Sequence, residues 1–258
     1  MQAMQRKAIA VMLTALFLGL ICLRAETGVP EEKNFTEVNK MRDSFRKLVG
    51  MKIIDNDYLA WAARCSAAAI SANSEFRQSQ YFVYVDRNPD QQLIFVCFYD
   101  AALKKVEVIG VDKASTGNPN RRGFFETPLG FFKNIPEIMG YRAQGTKNKK
   151  GWRGLGARGS RVWDFGWQKT NKDGYPVLIR LLMHATDPDF GEMRLGQTDS
   201  KGCIRISAKL NYFLDHYGIL DKEYEERNSV KKIWLLKFDR EPVAYAGKYV
   251  LVGDSGSF

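Results

Sequence analysis

Cysteine and histidine are the residues in this chain best suited to nucleophilic chemistry, and both are scarce. The 258-residue sequence has 4 cysteines and 2 histidines. Cys203 sits in the stretch Thr198 to Ser207, TDSKGCIRIS, directly after Gly202 and between Lys201 and Arg205. A thiol becomes a strong nucleophile when a base takes its proton, and basic neighbours near a helix start favour the thiolate. Glycine before the cysteine permits close backbone approach and lets main-chain N–H groups face a developing oxyanion. Of the histidines, His216 falls near the end of a helical pattern, where a cation suits the helix dipole, and reads as structural. His184 ends an apolar run, Val177 to Met183, that reads as a largely buried strand. A rigid strand delivering a histidine to a sheet edge places it where clefts form. On position alone it is equally a hydrogen-bonded histidine at a strand end.

The chain must hold these two residues together. From Phe35 to Phe76 the apolar spacing is helical, with Phe35, Val38, Met41, Phe45 and Leu48 on one face. Gly50 and the cluster Asp55-Asn56-Asp57 punctuate it, and Asp57 is the expected N-cap of a second helix over Tyr58 to Ile70. After Gln80 the pattern changes to strands. Tyr81–Val85 and Leu93–Tyr99 pair across the break at Asn88-Pro89, followed by Val106–Val111. Ser207 is the expected N-cap of a helix through Tyr217, with Gly218 ending it. Ile233–Phe238 and Tyr249–Val252 read as late strands. The fold class is therefore mostly β (α+β), with short helices and a helical N-terminal segment. The expected division is residues 1–25, 26–78 and 79–258.

Residues 1–25 carry Arg6 and Lys7, then an apolar stretch from Ala8 to Leu23, then Ala25 before Glu26. That is the order of a secretory signal peptide, and an uncleaved anchor is the other reading. Ile at the position where a lipoprotein signal needs a small residue argues against lipidation. Either way the expected location is the periplasm or cell envelope. Removing residues 1–25 removes Arg6, Lys7 and Arg24 and no acid, taking the formal net charge from +10 to +7. An exported basic protein suits an anionic polymer or surface. Nucleic acid fits poorly, because the basic residues are scattered. Cys65, Cys97 and Cys203 remain, an odd number that leaves at least one thiol unpaired, with a Cys65–Cys97 disulfide open.

Two further stretches carry residue types that chemistry could use. Gly151 to Gly159 is rich in glycine but lacks the strand-turn-helix setting of a dinucleotide loop, and reads as a rim loop. Asp187, Asp189 and Glu192 have no fixed ligand spacing and no third histidine, so they read as a solvated loop and not as a metal site. Trp152, Trp163 and Trp167 suit a cleft lining or the core equally.

His184-Ala185-Thr186, a polar loop, then Ser200-Lys201-Gly202-Cys203-Ile204-Arg205 resembles the signature of the L,D-transpeptidase catalytic domain. Upstream, Ser115-Thr116-Gly117 and Glu126-Thr127-Pro128-Leu129-Gly130-Phe131-Phe132 resemble that family's Ser-Thr-Gly and Thr-Pro-X-Gly-X-Phe elements. The resemblance runs from about Tyr81 to Phe213 and implies a sandwich-like mixed sheet. It implies Cys203 as nucleophile, His184 as base and the Ala185 carbonyl as the group that orients the ring. The N–H groups of Gly202 and Cys203 would form the oxyanion hole. Arg205 would hold a substrate carboxylate, Ser200 would support the turn, and Lys201 would lie on the substrate side. The implied substrate is the tetrapeptide stem of peptidoglycan, attacked at its third-position diamino acid with release of D-alanine. The acyl group would pass to an amine on a second stem or an acceptor protein. No cofactor or metal is implied, and membrane contact only if the N-terminal segment is retained. Lys201 stands where the family has histidine, and Ala185 where it has glycine or serine. Both departures leave transfer against hydrolysis open, so a carboxypeptidase or amidase on the same scaffold is the alternative. A noncatalytic wall-binding module with an inert Cys203 is the reading from a different class, and predicts a thiol slow to alkylate.

Overall fold

The strands β1 (Gln80–Asp86) and β2 (Leu93–Asp100) are apolar or aromatic between their polar ends, Gln80, Asp86 and Asp100, and every residue in both is buried. A strand without alternation needs cover on both faces. One face of this pair carries α2 (Asn56–Ser71), whose Ala62 and Ile70 join Phe82, Tyr84, Phe95 and Cys97 in one core cluster. The other face presents Tyr81 and Phe98, packed edge-on at 5.1 Å, with Tyr245 against Phe98 at 5.6 Å. The structure, a computed structural model, describes residues 30–50 and 52–257. The expected signal segment, residues 1–25, lies outside them.

Helix α1 (Pro30–Leu48) crosses the division between residues 1–39 and the body, residues 40–258. Within the body its Phe45 packs edge-on against Phe213 at 5.2 Å, and Arg42 donates to the Val108 carbonyl at 3.1 Å. The cap of α2 is Asp55, two residues before the expected Asp57. The Asp55 carboxylate accepts from the N–H groups of Asp57 (2.8 Å) and Tyr58 (3.1 Å), which satisfies the first turn. No described helix is long and apolar enough to cross a membrane.

The described residues form a mixed sheet of nine strands. β3 (Lys105–Ser115) runs antiparallel to β2, then gives its last two residues, Ala114 and Ser115, to β8 (Ile204–Ile206). β8 lies parallel to β7 (Tyr175–Ala185), which pairs antiparallel with β6 (Arg161–Lys172), and β6 with β5 (Tyr141–Arg142). On the far side β9 (Tyr249–Gly253) lies parallel to β1, and β4 (Gly130–Lys133) closes that edge. β3 therefore links two halves of the sheet, and β8 is inserted between β3 and β7.

Helix α3 (Ala208–His216) follows β8 at once, capped by Ser207, whose hydroxyl oxygen accepts from Leu210 N–H at 3.0 Å. This matches the expected cap. Two other expectations need correction. β7 is not buried throughout: Ile179, Leu181, Met183 and Ala185 are buried, while Leu178 and Arg180 face out. Alternation of that kind belongs to a strand with one covered face. Ile233–Phe238 is not a strand. Leu235 is fully buried beside Tyr224, and its carbonyl accepts from Arg142 Nε at 2.9 Å. A backbone oxygen held by a guanidinium is not offered to a ladder, and Trp234 and Phe238 are exposed.

Candidate active site

The two upstream motifs and the cysteine turn, far apart in the chain, are tied together by main-chain bonds. Thr116 O accepts from Ser200 N–H (2.9 Å) and Asp199 N–H (3.1 Å), and Asn118 N–H donates to Ser200 O at 3.1 Å. The buried Thr127 hydroxyl accepts from Gly117 N–H and donates to Gly202 O, each at 2.9 Å. Gly117 must be glycine, because a Cβ there would stand 1.9 Å from Phe125 O. Gly202 must be glycine too: its φ is +123°, and a Cβ would meet Ile179 Cδ1 at 2.7 Å. Ser200 closes the turn from within. Its hydroxyl donates to Cys203 O at 2.5 Å and accepts from Gly202 N–H at 3.0 Å. The Gly202 N–H is thus engaged, and of the two donors expected for an oxyanion only that of Cys203 is left.

Thr127→Val keeps the shape and removes both bonds, so a buried N–H and a buried carbonyl are stranded. We expect a loss of about 2 kcal/mol in urea unfolding, largely restored by Thr127→Ser. A Val protein as stable as wild type would contradict this linkage.

Register brings the histidine to the same turn. β7 and β8 pair in parallel with Met183 opposite Ile204, His184 opposite Arg205 and Ala185 opposite Ile206. Paired residues on adjacent strands share a face, so His184 and Arg205 lie on one side and the apolar Met183 and Ile204 on the other. Cys203 is one residue ahead of β8, and alternation puts it on the face of Arg205 and His184. His184 is 4% exposed, and its Nδ1 lies 2.8 Å from Ala185 O. A carbonyl accepts only, so Nδ1 carries the proton and Nε2 presents its lone pair.

Burial holds the two groups neutral. It pulls His184 down to about 4, partly opposed by the Ala185 carbonyl and reinforced by the Arg205 charge. It also pushes the Cys203 thiol up, against the hydrogen bond with the Leu182 backbone and the Arg205 charge, while Asp164 adds to the rise. The resting state is therefore thiol and imidazole, and not an ion pair.

His184 also makes stability depend on pH. An unfolded histidine protonates near pH 6.5, and the folded one only near 4. Between those values the unfolded chain binds a proton that the native chain refuses, so stability is complete above about pH 6.5 and falls as pH drops toward 4. At roughly 1.4 kcal/mol per pH unit below about pH 6.5, the loss from pH 7 to pH 5 is about 2 kcal/mol. Urea midpoints of wild type and His184→Gln at both pH values check it, the expectation being a clearly shallower slope in the variant. Parallel slopes would exclude His184 as the source.

The other residues weighed in the sequence divide. Arg205 donates to Asp199 O at 2.9 Å beside the cysteine turn. Lys201 reaches out over the Phe124 ring, 5.7 Å from its centre. The acid-rich loop is not simply solvated, since Asp187 is 2% exposed and its carboxylate accepts from Arg153 N–H and Nη1. Glu192 accepts from Ala208 N–H at 2.9 Å. Trp163 is core at 0% exposed, Trp167 is exposed at 64%, and Trp152 lies under the Arg194 guanidinium at 4.8 Å. His216 stacks on Tyr212 at 5.2 Å, as a structural residue does. Cys65 and Cys97 are free thiols in this structure. Missed in the sequence was Asp164, which holds Arg180 at 2.9 Å and acts on both Tyr141 and Cys203. Its only sequence signal was Arg180 interrupting an apolar run.

Residues 80–222, more than half of the chain, match the family described as YkuD, the L,D-transpeptidase catalytic domain. The chain belongs to the L,D-transpeptidase catalytic-domain family. The mostly β fold with a helical N-terminal segment agrees with that membership. Among solved structures, the chain is similar to a fused zinc-dependent amidase/peptidase/peptidoglycan-binding domain-containing protein from Clostridium acetobutylicum. Identity is 11%, with a TM-score of 0.33, over 79% of this chain and 65% of that one. This chain thus spans less than two thirds of that structure's length. No curated protein matches. The family's members are peptidoglycan cysteine transpeptidases, and the matched region contains both the Thr127 and the Cys203 blocks.

Proposed function

We propose that this member of the L,D-transpeptidase catalytic-domain family is an exported acyltransferase acting on peptidoglycan tetrapeptide stems, with Cys203 as nucleophile and His184 as base. The observation that carries the reading is the His184 ring, fixed through Nδ1 by the Ala185 carbonyl, with its bare Nε2 on the face shared with Cys203. The Cys203 proton passes to Nε2 as the sulfur attacks the carbonyl of the third-position diamino acid. Because both groups rest neutral, proton transfer accompanies attack and does not precede it. The Cys203 N–H faces the oxyanion. When the intermediate collapses, the C–N bond breaks and Nε2–H delivers the proton to the departing D-alanine amine. An acceptor amine then attacks the thioester and restores the thiol. Residues 1–25, read as a signal peptide, would carry the enzyme to the envelope.

The test is to incubate the full chain with a disaccharide-tetrapeptide and follow free D-alanine and intact mass, with and without a diamino acid acceptor. Expected are D-alanine release, a mass gain equal to the disaccharide-tripeptide acyl group, and a new amide when the amine is present. Disaccharide-tripeptide and D-alanine as the only products, even with amine, would make the protein a trimming carboxypeptidase. Neither release nor adduct would remove the acyl-transfer reading.

A further inference from the structure

The glycine-rich loop that the sequence marks only as a rim builds one wall of a small cleft beside the catalytic strands. The cleft holds about 110 Å³ and is lined by Trp152, Arg153, Thr186, Asp187, Arg194 and Arg205, among others. Three guanidiniums and one carboxylate line the cleft, and the Asp189 and Asp199 carboxylates that pair with them balance the charge, so what the cleft offers is hydrogen-bond donors. Each arginine is anchored through one nitrogen. Arg153 Nη1 binds Asp187 and Asp189, Arg194 Nε binds Asp199, and Arg205 Nη1 binds the Asp199 carbonyl. Among the described residues no acceptor meets the remaining N–H groups of these guanidiniums, and the Arg194 guanidinium carbon lies 4.8 Å from the centre of the Trp152 ring. Thr186 supplies an independent sign. It is 4% exposed, it lines the cleft, and among the described residues its hydroxyl has no hydrogen-bond partner. A buried hydroxyl in a site rich in donors calls for an acceptor from outside. Crowding is also visible at Arg205, which burial and the charge of Arg194 make harder to keep protonated. An anion in the cleft would relieve both.

Position identifies which anion. Thr186 follows His184 by two residues, and His184 must lie within hydrogen-bond reach of the amine that leaves. The carboxylate of a leaving amino acid is one carbon from that amine, so it falls on the His184–Thr186 side of Cys203, where the cleft is. A cleft this small takes the end of one small residue and not a continuing chain.

We propose that this cleft is a subsite for the free C-terminal carboxylate of the stem peptide, with Arg194 and Arg153 as the residues that set preference for a free-acid end. The identity of the ligand rests on the stem-peptide reading above. Planar two-pronged contacts from guanidinium to carboxylate give both strength and geometry, and an amide end forfeits them.

The experiment is calorimetric titration of the full-length Cys203→Ala protein with a stem tetrapeptide as free acid and as C-terminal carboxamide. Expected is binding of the acid at least about tenfold tighter than the amide. Adding Arg194→Ala removes most of that preference by weakening the acid alone, Arg194→Lys restores part of it, and 0.5 M salt narrows it. Since Arg194 also grips Asp199, Arg153→Gln gives a second variant with the same expected direction. Equal affinity for acid and amide, an equal loss of both on Arg194→Ala and Arg153→Gln, or no binding of either peptide each overturns the subsite. The two readings fail separately. A wild-type thioester with no acid preference leaves acyl transfer standing, and an acid preference without a thioester leaves the subsite standing.

Discussion

The Cys203→Ala protein is expected to release D-alanine from a tetrapeptide stem at less than about a thousandth of the wild-type rate, while unfolding at an unchanged urea midpoint. Removing a nucleophile from a covalent mechanism deletes the route, and the remaining site can only bind and polarise. The fold should be indifferent, because the turn is held by Ser200, Thr127 and Thr116 through main-chain atoms, and none of those bonds uses the Cys203 sulfur. His184→Ala is expected to lose about a hundredfold to ten-thousandfold, the usual range for a positioned base. Alkylation separates this from misfolding. With His184 at about 4 and the thiol raised by burial, there is no resting ion pair to give a reactive plateau at low pH. The rate of Cys203 alkylation by iodoacetamide should therefore keep climbing with pH beyond the ordinary thiol range. Turnover by the Cys203→Ala protein above that thousandth, or a flat alkylation profile from pH 5 upward, would sink the assignment.

Chemical rarity made the central pair readable in the sequence. With two histidines in the chain, one of them at a helix end, little choice of base was left once the cysteine turn stood out. Strands β1 and β2 were readable for a related reason, since runs such as Tyr81–Val85 are too apolar and too short for anything but covered sheet. Neighbourhood across the sheet was not readable. The parallel insertion of three-residue β8 beside β7 sets His184 against Arg205, yet it depends on β3 changing partners at Ala114, which no local pattern encodes. Thr127 and Gly202 entered the sequence reading as separate motif members. Their bond exists only because the loop after β3 and the turn before β8 are stacked. Ile233–Phe238 misled for the opposite reason. Its composition is strand-like, but its backbone oxygen is claimed by Arg142, a long-range contact that outweighs propensity. Asp55 displaced Asp57 as helix cap through a choice between near-equal candidates, settled by two residues of register.

Charge in the core was equally hidden, and it underlies the largest stability effect we expect. Arg161 opens β6, one residue before Val162, the partner of His184, and its side chain is 0% exposed. Its charge is met by Asp221 at 3.1 Å, itself 1% exposed, while Arg161 Nε and Nη1 have no hydrogen-bond acceptor among the described residues. Arg240, 3% exposed, binds the same Asp221 at 2.5 Å, and Asn134 Nδ2 donates to it at 2.9 Å. Asp221 thus touches two buried guanidiniums, of which Arg240 also binds Glu225 at 2.6 Å while Arg161 has Asp221 alone within ion-pair distance among the described residues. Burial already opposes the Arg161 charge, with Asp221 first among the groups that support it. Asp221→Ala leaves both cations without that counter-charge, in a place water does not reach. The expected cost is about 3–5 kcal/mol in urea unfolding at pH 7, the range seen when one member of a buried pair is removed. Replacing Arg161 with methionine in the same protein should recover part of the loss, because the unpaired charge, more than the missing bond, does the damage. Activity per folded molecule should stay within about twofold, since neither residue belongs to the cysteine turn. A loss below about 1 kcal/mol would mean that Arg240 and Asp215 rearrange to neutralise the site, and the pair would then be an incidental contact of the core and not a keystone of the strand behind His184.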